Sequence, residues 1–227
     1  MLVGERMSHP VVTVSPKMSM QEAHKMMRDE NVRRLPVVDE RGKLVGIVSE
    51  SDFLHASPSD VSSLSVWEMN YMLSKITVEK IMTSAVITTN SDTPIEEAAR
   101  TMADSTIGGL PVLKDGELVG IITETDLFKV FLEMLGAREA GVRITVLIEN
   151  KPGTLAALTK SIFDGGGNLV ALGTFLGEST ENREITLKVN GIDKAALQAG
   201  FFHHHLLIIS SRPYLIGTIL PQYPRIC

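Results

Sequence analysis

The chain has 227 residues, 44% of them hydrophobic, which suffices for one large or two small domains with apolar cores. The formal net charge of −5 offers no basic surface for nucleic acid, and the single cysteine, Cys227, excludes an internal disulfide framework and favours a reducing compartment. The first ten residues lack the apolar core of a signal peptide, and the apolar window 201–220 is interrupted by histidines, Arg212 and Pro213. The sequence therefore predicts a soluble, cytoplasmic protein without a membrane or nucleic-acid partner.

A seven-residue stretch occurs twice, as GIVSESD at 46–52 and as GIITETD at 120–126. Each copy begins as an apolar β-branched strand and places a hydroxyl residue three positions before an aspartate, which is the capping-box spacing. This spacing predicts that Ser49 and Thr123 are N-caps and that Asp52 and Asp126 lie in first helical turns. Open backbone N–H groups and the helix dipole favour an anion or a hydrogen-bonding ligand there, and the carboxylate suits paired hydroxyls such as those of a ribose. The alternative is that the four residues only cap helices.

The repeat extends well beyond this stretch. VRRLPVVDERGKLVG from position 32 matches IGGLPVLKDGELVG from 107, and MSHPVVTV from 7 matches MTSAVITT from 82. Self-similarity at a fixed period indicates a duplicated unit, so the first 130 residues are two copies of one β-α-β-β-α element. In the first copy the pattern predicts a strand at 11–14, a helix at 19–29 and a hairpin of strands at 35–38 and 43–48. Residues 56–65 are predicted to form a loop, and 66–80 a connecting helix in which Trp67 packs against the domain.

These motifs, LPVV or LPVL followed by a hairpin and GxxSxxD or GxxTxxD, resemble a tandem of CBS domains, the Bateman module, over about residues 1–135. The resemblance implies two repeats packed as a pseudo-two-fold pair, with two clefts for AMP, ADP, ATP or S-adenosylmethionine. It implies that Asp52 and Asp126 hold ribose hydroxyls and that Ser49 and Thr123 line the sugar or phosphate. The residues that it places near the base are Thr13, Val86, Ile87 and Ile107.

The two copies differ where the ligand phosphate is expected. The first carries Arg33 and Arg34 before its Leu-Pro, and the second carries Gly108 and Gly109. A guanidinium pair can grip phosphate, whereas glycines supply room without charge. The clefts are therefore predicted to differ. The alternative is that the arginines are solvated or pair with acids such as those at positions 29 and 30.

A different pattern begins at position 141. GVRITVLIE predicts a strand, NKPG at 150–153 a turn that opens a helix, and residues 169–176 and 184–189 two further strands. This order resembles an ACT domain, a ferredoxin-like βαββαβ unit. The resemblance implies an amino-acid ligand near Asn150, Gly153 and Thr154.

The C-terminal tail, from about residue 198, departs from that pattern. Residues 194–227 contain no Asp or Glu, and His203, His204 and His205 point in different directions on any regular element, so no metal site is predicted. Residues 206–210 are compatible with a fourth strand and equally with an altered reading frame.

The sequence thus predicts an α+β protein with a CBS repeat at 1–65, a second at 66–138 and an ACT-like domain at 139–227. It contains no P-loop, no Cys/His dyad at an elbow and no HExxH, so no catalytic residue and no catalytic cofactor is assigned. The predicted function is regulatory sensing of an adenine nucleotide or S-adenosylmethionine by a homodimer. The alternatives are a purely structural dimerisation module and a nucleotide-hydrolysing enzyme.

Overall fold

The computed structural model describes residues 1–56, 75–193 and 195, together with the backbone of 207–214. The chain divides into two compact units, Met1–Phe128 and Lys129–Cys227. Trp67 and most of the predicted connecting helix lie outside the described residues.

The first unit contains both copies of the repeat, apart from the end of the last helix, which continues past Phe128 into the second unit. Both copies contain a helix, a two-stranded hairpin and a second helix, and the second copy has one additional short strand. In the first copy these are α1 (Met20–Asp29), β1 (Arg34–Val38), β2 (Leu44–Ser49) and α2 (Glu50–Ala56). In the second copy they are β3 (Thr89–Asn90), α3 (Ile95–Ser105), β4 (Gly109–Lys114), β5 (Glu117–Thr123) and α4 (Glu124–Met134). β1 and β2 form an antiparallel pair, while β3 runs parallel to β4 and β4 antiparallel to β5.

Local sequence signals account for most of these elements. Ser19 and Glu22 form a complete capping box at the start of α1, whose buried side chains Met20, Ala23 and Met27 recur at helical spacing. The hairpin between β4 and β5 turns through Asp115 and Gly116 with φ values of 52° and 86°, as a two-residue type I′ turn requires.

The prediction of a first strand at 11–14 is wrong. Only Val14 makes a ladder contact, in a single bridge to Val37, donating to the carbonyl of Pro36 and accepting from the N–H of Val38. Pro10 and Pro16 flank this segment and lack an N–H, which limits its pairing.

The segments that begin the two repeats, residues 3–10 and 78–85, each pair with the other repeat; we call them the lead segments. Ser8 exchanges backbone hydrogen bonds with Ile121 of the second repeat, and Thr83 exchanges the equivalent pair with Ile47 of the first. Val3 is buried in the core of the second repeat, and Val78 in that of the first. Each repeat therefore completes its core with residues from the start of the other.

The second unit contains a four-stranded antiparallel sheet in the order β7-β8-β6-β9 and one described helix. Its elements are β6 (Gly141–Glu149), α5 (Thr154–Asp164), β7 (Asn168–Leu176), β8 (Asn182–Asn190) and β9 (Leu207–Tyr214). Alternate residues of β6 and β8, including Ile144, Val146 and Leu187, pack against Leu158 and Ile162 of α5. β9 pairs with β6, so the backbone at 207–214 forms the fourth strand.

Candidate functional site

The first GxxSxxD turn holds its aspartate in a defined position at the start of α2. The Ser49 N–H and the Ser49 hydroxyl both donate to Oδ2 of Asp52, each at 2.7 Å. The aspartate thus reaches back to the N-cap N–H as in a capping box, but the hydroxyl donates to the carboxylate instead of accepting from the helix. Oδ1 of Asp52 accepts no hydrogen bond from any described residue, so it remains available to a ligand hydroxyl.

The second turn repeats this geometry. The Thr123 N–H and hydroxyl donate to Oδ2 of Asp126 at 3.0 and 2.7 Å. Asp126 is only 5% exposed, whereas Asp52 is half-buried. The two carboxylates are therefore held alike but meet solvent differently.

A cavity of about 350 Å³ opens beside Asp52, within the volume range of small-molecule sites. We call it the Asp52 cavity. The first repeat contributes Arg34, Ile47, Ser49 and Asp52, and the second contributes Thr83, Ala85, Val86, Ile87 and Thr106 to Gly109. The exchanged lead segment brings these two groups together, because its Thr83 pairs with Ile47. The cavity thus combines a carboxylate and a hydroxyl with apolar walls and one guanidinium.

The Arg34 side chain occupies the room that the glycines of the second repeat leave. A Cβ added at Gly108 would collide with the Arg34 guanidinium and would lie 2.7 Å from Oε2 of Glu124, and one added at Gly109 would lie 3.3 Å from Cδ of Arg34. Burial lowers the pKa of Arg34, while Glu124 raises it and Arg33 lowers it further. The arginine nevertheless stays cationic at neutral pH.

Arg33 is directed elsewhere. Its Nη2 donates to the Thr125 hydroxyl at 3.4 Å, one residue before Asp126, and Arg33 does not line the Asp52 cavity. Neither arginine forms an ion pair with Asp29 or Glu30 within residues 1–56. The two arginines of the first repeat therefore both approach the first turn of α4, where Glu124 and Thr125 lie between Thr123 and Asp126.

Most, but not all, of the predicted nucleotide-binding residues line the Asp52 cavity. Seven of them line the Asp52 cavity, namely Arg34, Ser49, Asp52, Val86, Ile87, Ile107 and Gly108. Thr13 does not line it; this residue precedes Val14, which bridges to Val37 within the first repeat.

Sequence reasoning did not select Ile47, Thr83, Ala85, Thr106 or Gly109, which also line the cavity. A sequence signal for Thr106 was its alignment with Asn31, because asparagine is common in left-handed conformation after a helix. Both residues adopt that conformation, with φ 54° at Thr106 and 52° at Asn31.

The predicted amino-acid site has well-defined local roles. The Asn150 side-chain amide donates to the carbonyl of Thr180 at 3.1 Å, and the Thr154 hydroxyl donates to that of Lys151 at 3.1 Å. Gly153 has φ 88°, which favours glycine at the N-cap of α5. Asn150 therefore ties the turn to the connection between β7 and β8, while Gly153 and Thr154 shape the turn itself.

The residues that the structure describes contain neither a metal-binding cluster nor a membrane-spanning helix. No cluster of three or more His, Cys, Asp or Glu side chains that could hold a metal occurs there, and His203 to His205 lie outside them. No helix in the same residues has both the length and the apolar character needed to cross a bilayer.

The CBS domain family matches residues 3–59 and 78–133, one match for each repeat. A CBS domain-containing protein of Dictyostelium discoideum is 33% identical over 135 residues, which cover 59% of this chain and 93% of that protein. The chain belongs to the CBS domain family and contains a CBS domain pair.

A second relative is much longer than the match. The L-aspartate semialdehyde sulfurtransferase of Methanocaldococcus jannaschii is 36% identical over 131 residues, which cover 57% of this chain but 23% of the enzyme. The chain thus spans less than a quarter of that relative.

Three crystal structures share the fold. The CBS domain pair of protein MJ0100, in complex with 5′-methylthioadenosine and S-adenosyl-L-methionine, is 35% identical with a TM-score of 0.50, covering 61% of this chain and 98% of that one. CBSX2 in complex with AMP is 30% identical with a TM-score of 0.50, covering 59% and 97%. A candidate acetoin utilization protein (AcuB) of Vibrio cholerae is 27% identical with a TM-score of 0.51, covering 60% and 93%. Adenosine-containing ligands therefore occupy CBS pairs of this fold.

Proposed function

We propose that this protein is a non-enzymatic regulator whose CBS pair senses an adenosine-containing ligand. The observation that carries the proposal is the Asp52 cavity, in which a positioned carboxylate and hydroxyl face Val86, Ile87 and Ile107. Oδ1 of Asp52 and the Ser49 hydroxyl suit ribose hydroxyls, while the apolar side chains suit the faces of an adenine. The AMP, 5′-methylthioadenosine and S-adenosylmethionine complexes of similar CBS pairs support this ligand class.

The Asp126 turn is proposed as the corresponding part of a second site. Its carboxylate and hydroxyl repeat the geometry of the first turn, and Arg33 donates to the neighbouring Thr125. A guanidinium at this position suits the phosphate of AMP, ADP or ATP. The two sites are therefore expected to differ in their preference for charge.

Calorimetric titration of the full chain with adenosine, AMP, ATP and S-adenosylmethionine tests this function. Binding of at least one of these ligands, without turnover when the same mixtures are analysed chromatographically, is expected. Binding with product formation would identify an enzyme instead. No binding by any ligand would leave a structural dimerisation module.

We also propose that the second unit is a ferredoxin-like ACT-type domain that responds to an amino acid. The strand order β7-β8-β6-β9, with all neighbours antiparallel, is the order expected of a βαββαβ unit and supports this assignment. Asn150, Gly153 and Thr154 remain the proposed ligand contacts. A thermal-shift screen against the twenty amino acids tests the sensing role, and a screen without any shift would refute it.

A further inference from the structure

The charges beside the Asp52 cavity do not balance. Among the described residues that line it, Arg34 is the one base and Asp52 the one acid. Glu124 adds a second carboxylate beside the cavity wall. Its Oε2 lies 2.7 Å from the position that a Cβ on Gly108 would take, and Gly108 lines the cavity. The cavity and its wall therefore carry two carboxylates and one guanidinium, and Glu124 is the acid that lies beside this guanidinium.

Glu124 and a ligand in the cavity face the same guanidinium. The Arg34 side chain crosses from the first repeat and ends on Gly108, where both its guanidinium and the Glu124 carboxylate lie. Glu124 also raises the pKa of Arg34 more than the neighbouring Arg33 lowers it, while burial has the largest effect and lowers it. The charge of Arg34 is thus already shared before a ligand arrives.

A 5′-phosphate meets an unfavourable field at this wall. At neutral pH a phosphate monoester carries a charge of about −1.5 to −2, and like charges placed together oppose binding. Arg33, the other base nearby, is directed to Thr125 and does not line the cavity. An uncharged nucleoside avoids this repulsion, and a sulfonium gains from the negative field.

We propose that the Asp52 cavity selects a nucleoside whose 5′ substituent is uncharged or cationic, and that Glu124 is the residue that sets this selectivity by offsetting the charge of Arg34. The proposal rests on the adenosine-binding function and narrows its ligand to a 5′-thio or sulfonium nucleoside. Glu124 acts through Arg34 and is a specificity residue without a ligand contact of its own.

The test titrates the full chain with 5′-methylthioadenosine, S-adenosylmethionine and AMP in an Asp126→Ala background, which leaves the Asp52 cavity as the site under study. The thionucleoside is expected to bind at least about tenfold more tightly than AMP, and Glu124→Gln is expected to reduce this preference by about tenfold, because a removed like charge of this kind acts at short range. Glu117→Gln is the matched control, since Glu117 is an exposed acid on the β4–β5 hairpin, away from the cavity wall.

Each outcome decides something different. If none of the three ligands binds the wild type, the adenosine-binding function itself fails. If AMP binds as tightly as the thionucleoside, the charge selectivity is wrong while that function stands. If Glu124→Gln behaves like Glu117→Gln, Glu124 is not the determinant. Should the Asp126→Ala background fail to fold, crystals of the wild type and of Glu124→Gln soaked with AMP or 5′-methylthioadenosine give the occupancy of the cavity directly.

Discussion

Replacing Asp52 by alanine separates ligand binding from helix capping, because the structure assigns the two carboxylate oxygens to different tasks. Oδ2 accepts from the Ser49 N–H and hydroxyl, so its loss weakens the start of α2. Oδ1 faces no donor within the described residues and is the oxygen left for a ribose hydroxyl. Asp126→Ala removes the equivalent groups from a more buried position.

The expected magnitudes follow from these contacts. One hydrogen bond to a charged group contributes about 1.5 to 3 kcal/mol, so loss of the Oδ1 contact should weaken the nucleoside at this cavity by roughly one to two decades. Loss of the Oδ2 contacts should cost about 1 kcal/mol of unfolding free energy at half-buried Asp52. At Asp126 the cost should be about 1 to 3 kcal/mol, since Asp126 itself is buried and the part-buried donors of Thr123 then lack an acceptor.

Calorimetric titration with 5′-methylthioadenosine and a thermal melt of each variant provide the two readouts. The melting temperature should fall in the order wild type, Asp52→Ala, Asp126→Ala, while Asp52→Ala alone abolishes or greatly weakens binding in the Asp52 cavity. If Asp52→Ala lowered the melting temperature but left every affinity unchanged, the aspartate would be a helix cap and the ribose assignment would be wrong.

Three further outcomes are expected. Thr106→Asn should stabilise the first unit by about 0.5 to 1 kcal/mol, because a β-branched residue at φ 54° is strained and asparagine tolerates this conformation; an unchanged melting temperature would argue against such strain. The wild type should be a dimer by light scattering at micromolar concentration, and Phe131→Glu should shift it towards monomer, because α4 exposes Phe128, Phe131 and Met134; a wild-type monomer would contradict this. Lys188→Ala should destabilise the second unit by about 1 to 3 kcal/mol, since buried Lys188 donates to the Gly136 carbonyl at 2.6 Å; equal denaturation midpoints for both proteins would show that this bond contributes nothing.

Local sequence motifs made much of the first unit predictable. The Ser19 capping box, the Met20 and Met27 spacing in α1 and the Asp115-Gly116 turn each depend on residues within a few positions, so the sequence alone identifies them. The tandem repeat then predicts a second copy of every element, and the CBS match confirms the pair.

The contacts between repeats were less accessible to sequence reasoning. Pairing of Ser8 with Ile121, and of Thr83 with Ile47, depends on how the two copies pack, and no local pattern encodes it. For the same reason the sequence suggests acids at positions 29 and 30 as partners of Arg34, whereas the acid that lies beside it is Glu124, ninety positions away. Spacing predicts candidate binding residues, whereas only the fold identifies which residues lie beside them.

The exchange of lead segments limits where the chain can be cut into fragments and which parts of its gene can be transferred alone. A fragment that ends before Val78 removes one fully buried side chain from the core of the first repeat. A fragment that begins after Val3 removes one from the core of the second. Truncation of a buried valine also opens a cavity that the neighbours fill only partly. A gene rearrangement that moves one repeat alone would therefore produce a chain prone to degradation, while one that moves both carries intact cores and the Asp52 cavity together.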